Sequence, residues 1–273
     1  MLPTVKLGDH DVSRLICGGN PFSGNSHVDS KLDQDMLTYY TMPALQAALD
    51  ECWKCGINTI QSRGDRHQMR MMLEHRVRGG QMQWIAQTAS EFRSIPGNIA
   101  AIARFEPIAI YHHGTHTDNC WHSGRIDEVA DIVKCIKDHG LPAGIGTHIP
   151  EVVQYAEDKG WAADFYMCCF YNLARGYKAA PAVEHDAYAK DRYPPDDPDK
   201  MTAVMRQVSK PCIGFKIMAA SRNCGTPEQV RETFRTAFEQ IKPIDMVDVG
   251  MFQKHKNQVA ENAQFVREVL AAE

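Results

Sequence analysis

The chain has 273 residues, 44% hydrophobic and 23% charged, the proportions of an ordinary water-soluble domain. Its 30 basic and 34 acidic side chains leave a formal charge of −4, so no broad positive field exists to gather nucleic acid or anionic lipid. No apolar run approaches the roughly 20 residues that span a bilayer, and the opening MLPTVKLGDHD has no basic-then-apolar signal pattern; a cytoplasmic location is expected.

Short apolar runs alternate with amphipathic stretches along the whole chain. Arg14–Gly19 is the first strand-like run. After the connection Pro21–Tyr40, Leu45, Ala48, Leu49 and Cys52 form an apolar helical stripe, with Thr41 as N-cap, Pro43 in the first turn and Gly56 as the stop. Ile57–Ser62, Met82–Thr88 and Pro107–His113 are the next strands, followed by a helix whose stripe is Ile126, Val129, Val133 and Ile136. Leu141–His148 and Ala163–Asn172 come next. A long Tyr-, Lys-, Asp- and Pro-rich connection, 175–198, then precedes Cys212–Ala219. Thr226-Pro227-Glu228-Gln229 reads as a capping box, ahead of a face made by Val230, Phe234, Phe238 and Ile241. Ile244–Gly250 is the eighth strand, and Val259, Ala263, Val266 and Leu270 line the closing helix.

Such runs suit parallel strands covered on both faces. Eight of them, each followed by a helix, predict a single (β/α)₈ TIM barrel over residues 1–273. An open doubly wound sheet is the alternative, but no Gly-rich phosphate loop follows the first strand. In a barrel both long connections leave strand C-termini, so 175–198 is expected to form a lid over the mouth; a plain surface insertion is the other reading. The nine cysteines are odd in number and lack framework spacing, as in a reducing compartment. The Cys52/Cys55 CxxC ends a helix without a second pair, and Cys168–Cys169 lie on a strand, so all four are read as packing residues.

The segments SRLICGGNPFSG, ALDECWKCGINTIQS, PIAIYHHG, GIGTH, FYNL and GMFQKHKNQVAEN, in that order and spacing, resemble the aldo-keto reductases. The resemblance implies the same barrel and a nicotinamide cofactor, but most of that family's catalytic tetrad is missing. Gln61 stands where the family has an aspartate, no tyrosine follows it, Thr88 takes the lysine's place, and only His113 matches. On the cofactor side, Thr147 and His148 replace a serine–asparagine pair and Met167 replaces a glutamine. Phe215 offers a ring for nicotinamide, while Lys254, Lys256, Glu261 and Asn262 correspond to the adenine side of NADP. These last four serve equally well as cap and solvated face of the final helix.

The strand ends carry other polar groups: Arg63, Asp65 and His67 after the second strand, His112, His113, His116 and Asp118 around the fourth, His148 after the fifth and Lys216 after the seventh. Buried polar groups need partners, so an Arg63–Asp65 contact and a backbone-bonded core histidine account for part of the set. For the rest, three chemistries are open. His113 and Asp65 act as acid and base while Arg63 and Lys216 hold a polar substrate; His113, His148 and Asp65 bind a divalent metal; or Lys216 forms a Schiff base. The first is preferred: a lyase, hydratase or isomerase acting on a small sugar-derived or carbonyl compound. An NADP-dependent oxidoreductase with His113 or His112 as proton donor in place of the tyrosine is the second reading, and a non-catalytic binding barrel the third.

Overall fold

The computed structural model describes residues 2–89, 92–175 and 192–272. Two short strands, β1 (Thr4–Leu7) and β2 (His10–Ser13), make an antiparallel hairpin ahead of the barrel. The barrel strands are β3 (Leu15–Gly18), β4 (Thr59–Arg63), β5 (Gln83–Gln87), β6 (Ala109–His112), β7 (Ala143–Thr147), β8 (Phe165–Cys169), β9 (Cys212–Phe215) and β10 (Met246–Gly250). Each pairs in parallel with the next, and β10 returns to β3 with Val247 opposite Leu15 and Gly250 opposite Gly18, which closes the barrel. This is a (β/α)₈ TIM barrel, and each strand lies within the run that the apolar pattern marks except β4, which runs one residue past Ser62 to Arg63.

Around it stand α2 (Met42–Lys54), α3 (Arg66–Val77), α4 (Ile95–Ala103), α5 (Gly114–His122), α6 (Glu128–Lys137), α7 (Pro150–Asp158), α8 (Asp197–Gln207), α9 (Pro227–Gln240) and α10 (Gln258–Ala271). Strand side chains alternate between the two faces. Ile60, Trp84, Ile110 and Ile145 point outward and are fully buried against helix residues such as Leu49, Met72, Ile99 and Val133. Ile16, Ile85, Ala109, Phe165, Met167, Ile213 and Met246 point inward and fill the lower barrel.

Pattern alone marks no element before Arg14, yet the hairpin has a structural task. Leu7 and Val12 complete the inward cluster and are fully buried with it, so the hairpin plugs the N-terminal end. Burying each contributes roughly 1.5–3 kcal/mol.

Local capping follows the sequence in part. Thr226 Oγ1 accepts from Gln229 N at 3.3 Å, and Gln229 Oε1 accepts the Gly225 N–H at 3.0 Å, a reciprocal cap shifted by one residue. Thr41 holds the N-cap position of α2, but its hydroxyl makes no capping bond. All nine cysteines are free, and Cys52, Cys168 and Cys169 are buried, as packing residues should be.

The first long connection contains a 3₁₀ turn (Asn20–Ser23) and the helix α1 (Ser30–Tyr39). The second, with the expected lid, lies mainly outside the described residues. Its two stems are tied down: Arg175 forms an ion pair with the buried Asp197, and Tyr193 packs on Tyr171 with Arg222 over its ring. Among the described residues no helix is long and apolar enough to cross a membrane.

Candidate functional site at the barrel mouth

Above the apolar plug the inward positions turn polar. Gln61 on β4, Tyr111 on β6 and Asp248 on β10 are all buried. With its amide set to satisfy its neighbours, Gln61 accepts from Tyr111 Oη at 2.8 Å and donates to Asp248 Oδ2 at 3.1 Å. Gln87 on β5 donates to the same tyrosine oxygen at 2.8 Å. The layer exists because two strands give it room. A Cβ on Gly18 would lie 3.0 Å from Asp248 Oδ1, and one on Gly146 would lie 3.0 Å from the Tyr111 ring.

Two of these groups are electrostatically unusual. Burial raises the Tyr111 hydroxyl well above its ordinary range, and the neighbouring Asp248 adds to this. Burial also raises Asp248 to about 8, against the lowering effect of the Lys216 ammonium. Asp248 Oδ1 has no hydrogen-bond partner among the described residues.

This floor opens into a cavity of about 320 Å³. Gln61, Phe215, Lys216 and Asp248 line its inner end, Asn25, His27 and Met36 of the first long connection form one wall, and Lys256, Glu261 and Asn262 lie at its outer end. The opposite wall includes Ala220 and Ser221, which with Ala219 form a run of left-handed residues at φ between 47° and 74°. Lys216 itself sits at φ 58°. Such backbone is uncommon for side-chain-bearing residues and is kept where surrounding structure enforces it.

The residues singled out from sequence divide into two groups. Lys216 faces the cavity, and its Nζ is buried. His113 and Arg63 are not among the residues that line the cavity, but Arg63 is close enough to act on the His113 ring. Burial, then the charge of Arg63, pushes the His113 imidazole down to about 3, so it is neutral at ordinary pH. His113 begins α5 without spending its ring on a cap.

Asp65 is placed differently. Its Oδ1 caps α3 by accepting from Gln68 N at 2.9 Å, while Oδ2 lies 3.6 Å from Arg63 Nε. The expected Arg63–Asp65 contact is therefore present, and the carboxylate is engaged at a helix terminus.

His112 is a correction. It is fully buried on the outer face of β6, with Nδ1 3.0 Å from Thr88 Oγ1 and Nε2 2.8 Å from His116 Nδ1. Strand alternation puts it opposite to His113, and both of its nitrogens are occupied away from the mouth. Thr88 shares that outer face, so Gln87 is the polar side chain that β5 sends inward.

The donor set His113, His148 and Asp65 does not assemble either. His148 Nδ1 is 2.6 Å from Asp118 Oδ2, and Asp118 Oδ1 accepts from Thr147 Oγ1 at 2.6 Å. Among the described residues no three His, Cys, Asp or Glu side chains are grouped to hold a metal ion.

On the cofactor side, Phe215, Lys256, Glu261 and Asn262 share the cavity, with Lys256 paired to Glu261 at 2.6 Å. Lys254 is turned to Asp35 instead. Asn257, rather than the residues named from sequence, caps α10 by accepting from Ala260 N at 3.0 Å.

Sequence reasoning passed over Asp248 and Tyr111. Both lie in apolar strands, MVDVG and AIYH, where a lone polar residue carries no motif. The period of two was the available signal, since Asp248 lies two residues from Met246, and Tyr111 two from both Ala109 and His113.

No known-family profile matches the sequence, and no curated protein matches it by sequence. Solved structures do match in shape. Over 99% of this chain and 92% of the other, a truncated 3-deoxy-D-arabino-heptulosonate 7-phosphate synthase from Thermotoga maritima is similar, with a TM-score of 0.58 at 12% identity. The aldo-keto reductase AKR11C1 from Bacillus halodurans matches with a TM-score of 0.56 at 10% identity, over 97% of this chain and 95% of that one. The thermostable aldo-keto reductase Tm1743 matches at 0.59 and 11% identity, over 98% and 94%. At such identities the likeness shows the barrel fold, and aldo-keto reductases appear among its neighbours beside other barrel enzymes.

Proposed function

We propose that the chain is an enzyme performing acid–base chemistry on a small polar carbonyl compound, sugar-derived in character, at the C-terminal mouth of the barrel. The observation that carries the reading is the polar floor of the cavity, where Gln61, Lys216 and Asp248 converge above an apolar plug. Polar groups placed in a mostly closed barrel cost desolvation. Gln61 is bonded to Asp248, and the cavity that both line with Lys216 is the arrangement a bound polar molecule would complete. Lys216 would stabilise negative charge developing on a carbonyl oxygen, with the Arg63 guanidinium adding to the local potential. Neutral His113 would offer a hydrogen bond without a competing charge. Asp65 serves by holding Arg63. The likeness to synthase and reductase barrels is consistent with carbonyl substrates but carries no residue roles.

The test is proton exchange. The purified protein in D₂O with dihydroxyacetone, pyruvate or glyceraldehyde should replace carbon-bound hydrogens next to the carbonyl by deuterium, followed by proton NMR. An exchange rate equal to that of the buffer with all three would overturn the reading.

One observation favours a second reading, an NADP-dependent oxidoreductase. A single cavity joins Phe215 to Lys256, Glu261 and Asn262, and an elongated dinucleotide needs such continuity. Phe215 would meet the nicotinamide ring, and Lys256 with Glu261 and Asn262 the adenylate end; bound NADP would supply hydride transfer. Lys254, held by Asp35, would contribute only after breaking that pair. Titration with NADPH decides it: micromolar binding with a raised thermal midpoint supports it, and no binding at millimolar cofactor removes it.

A further inference from the structure

We propose that Asp248 is the residue that moves the substrate's proton, with Gln61 as its positioning residue. The inference rests on the acid–base reading above and names the group that performs it. Three observations converge. Asp248 is buried at the floor of the cavity. Gln61 Nε2 donates to Oδ2 at 3.1 Å, which fixes the carboxyl plane, while Oδ1 has no partner among the described residues. Gly18 leaves room beside Oδ1, since a Cβ there would stand 3.0 Å from that oxygen.

The surrounding charges favour a carboxyl that changes state near neutrality. Lys216 faces it from the end of β9, and Tyr111 from β6 through Gln61; Arg63 acts on Tyr111 from β4, and Lys256 and Glu261 occupy the outer end of the same cavity. Burial outweighs Lys216 and holds the group at about 8. A proton-transfer group works best when its pKa lies close to the working pH. Tyr111, raised well above its ordinary range and bonded to both Gln61 and Gln87, stays neutral and orients the glutamine.

The step balances without another reactant. Ionised Asp248 Oδ1 takes the hydrogen from the carbon beside the substrate carbonyl. The C–H electron pair becomes a C=C bond and the carbonyl pair moves onto oxygen, giving an enolate opposite the Lys216 ammonium. The new Asp248 O–H then returns a proton to the same carbon as the oxygen pair re-forms the carbonyl, and exchange of the Asp248 proton with solvent before its return introduces deuterium.

The test uses the same three probes in D₂O, with wild type, Asp248→Asn and Asp248→Ser, and with saturation-transfer NMR to report binding. Expected are exchange by wild type, with a rate that rises with pH to a midpoint near 8, and a loss of about 100-fold or more in both variants while probe binding persists. Gln61→Leu should retain binding and displace the pH midpoint. Exchange undiminished in both Asp248 variants, or a wild-type rate without a midpoint between pH 6 and 10, would overturn the assignment and leave the acid–base reading standing. Absence of exchange in the wild type would remove both.

Discussion

His148 Nδ1 and Asp118 Oδ2 lie 2.6 Å apart across the β7–α5 junction, and the backbone N–H of His148 also donates to Asp118, at 3.2 Å to Oδ1. With Thr147 Oγ1 at 2.6 Å from the same Oδ1, the buried carboxylate is surrounded by donors. It holds the His148 ring in place through Nδ1. Asp118→Ala should therefore destabilise the protein by about 1–3 kcal/mol, since three donors lose a charged partner. Asp118→Asn should keep most of that stability but release the ring. Denaturant titration of both variants checks the first statement, and the His148 ring nitrogen shifts by NMR check the second.

His112 and His113 are adjacent in sequence and opposite in surroundings, so their alanine variants should separate cleanly. His112→Ala removes the partner of both Thr88 and His116 from a fully buried position. It should cost about 2–4 kcal/mol, combining lost packing with unsatisfied polar groups, which lowers the thermal midpoint by roughly 2–4 °C per kcal/mol. His113→Ala should leave the midpoint nearly unchanged and depress proton exchange. A large loss of stability in His113→Ala would mark it as a packing residue instead.

The barrel was legible because eight strand runs and their capped helices repeat one instruction, and each local pattern agrees with the same architecture. The mouth was partly legible. Lys216, which lines the cavity, follows from placing strand C-termini, and the Arg63–Asp65 contact from charge spacing. What remained hidden depends on which way a side chain faces and what stands across the barrel. His112 looked equivalent to His113 until the outward turn of β6 was fixed. Asp248 and Tyr111 gain their meaning only from Gln61, 187 and 50 residues away in sequence. The β1–β2 hairpin escaped notice because its short strands carry few apolar residues: Leu7 and Val12, with the half-buried Val5, commit it to the barrel.

Acid should expose a second electrostatic dependence, remote from the mouth. Burial alone would raise the Glu157 carboxyl, but Lys210 Nζ at 3.0 Å, Tyr166 Oη at 2.8 Å and the Ser209 N–H and hydroxyl outweigh it and pull it down to about 2. A carboxylate held below its unfolded value stabilises the fold above that value and loses the contribution as pH falls through the folded one. Wild type should therefore lose stability between about pH 4.5 and pH 2, and Glu157→Gln should show a shallower loss across that window. Melting curves of the two proteins from pH 2 to 7 give the comparison. Parallel curves would mean that the four donors contribute nothing.

Gly146→Ala tests the packing that makes the polar floor possible. The added Cβ would stand 2.9 Å from the His112 carbonyl oxygen and 3.0 Å from Tyr111 Cε2. The first contact is to backbone inside a closed barrel, so it cannot be relieved by a rotamer change. Overpacking of this kind costs typically about 1–3 kcal/mol. Because the second contact is the ring that orients Gln61, the substitution should also reach Asp248 without touching it. The expected outcome is a lowered midpoint together with a displaced pH profile of proton exchange. Destabilisation with an unchanged profile would show that the Tyr111 ring can shift without carrying Gln61 and Asp248 with it.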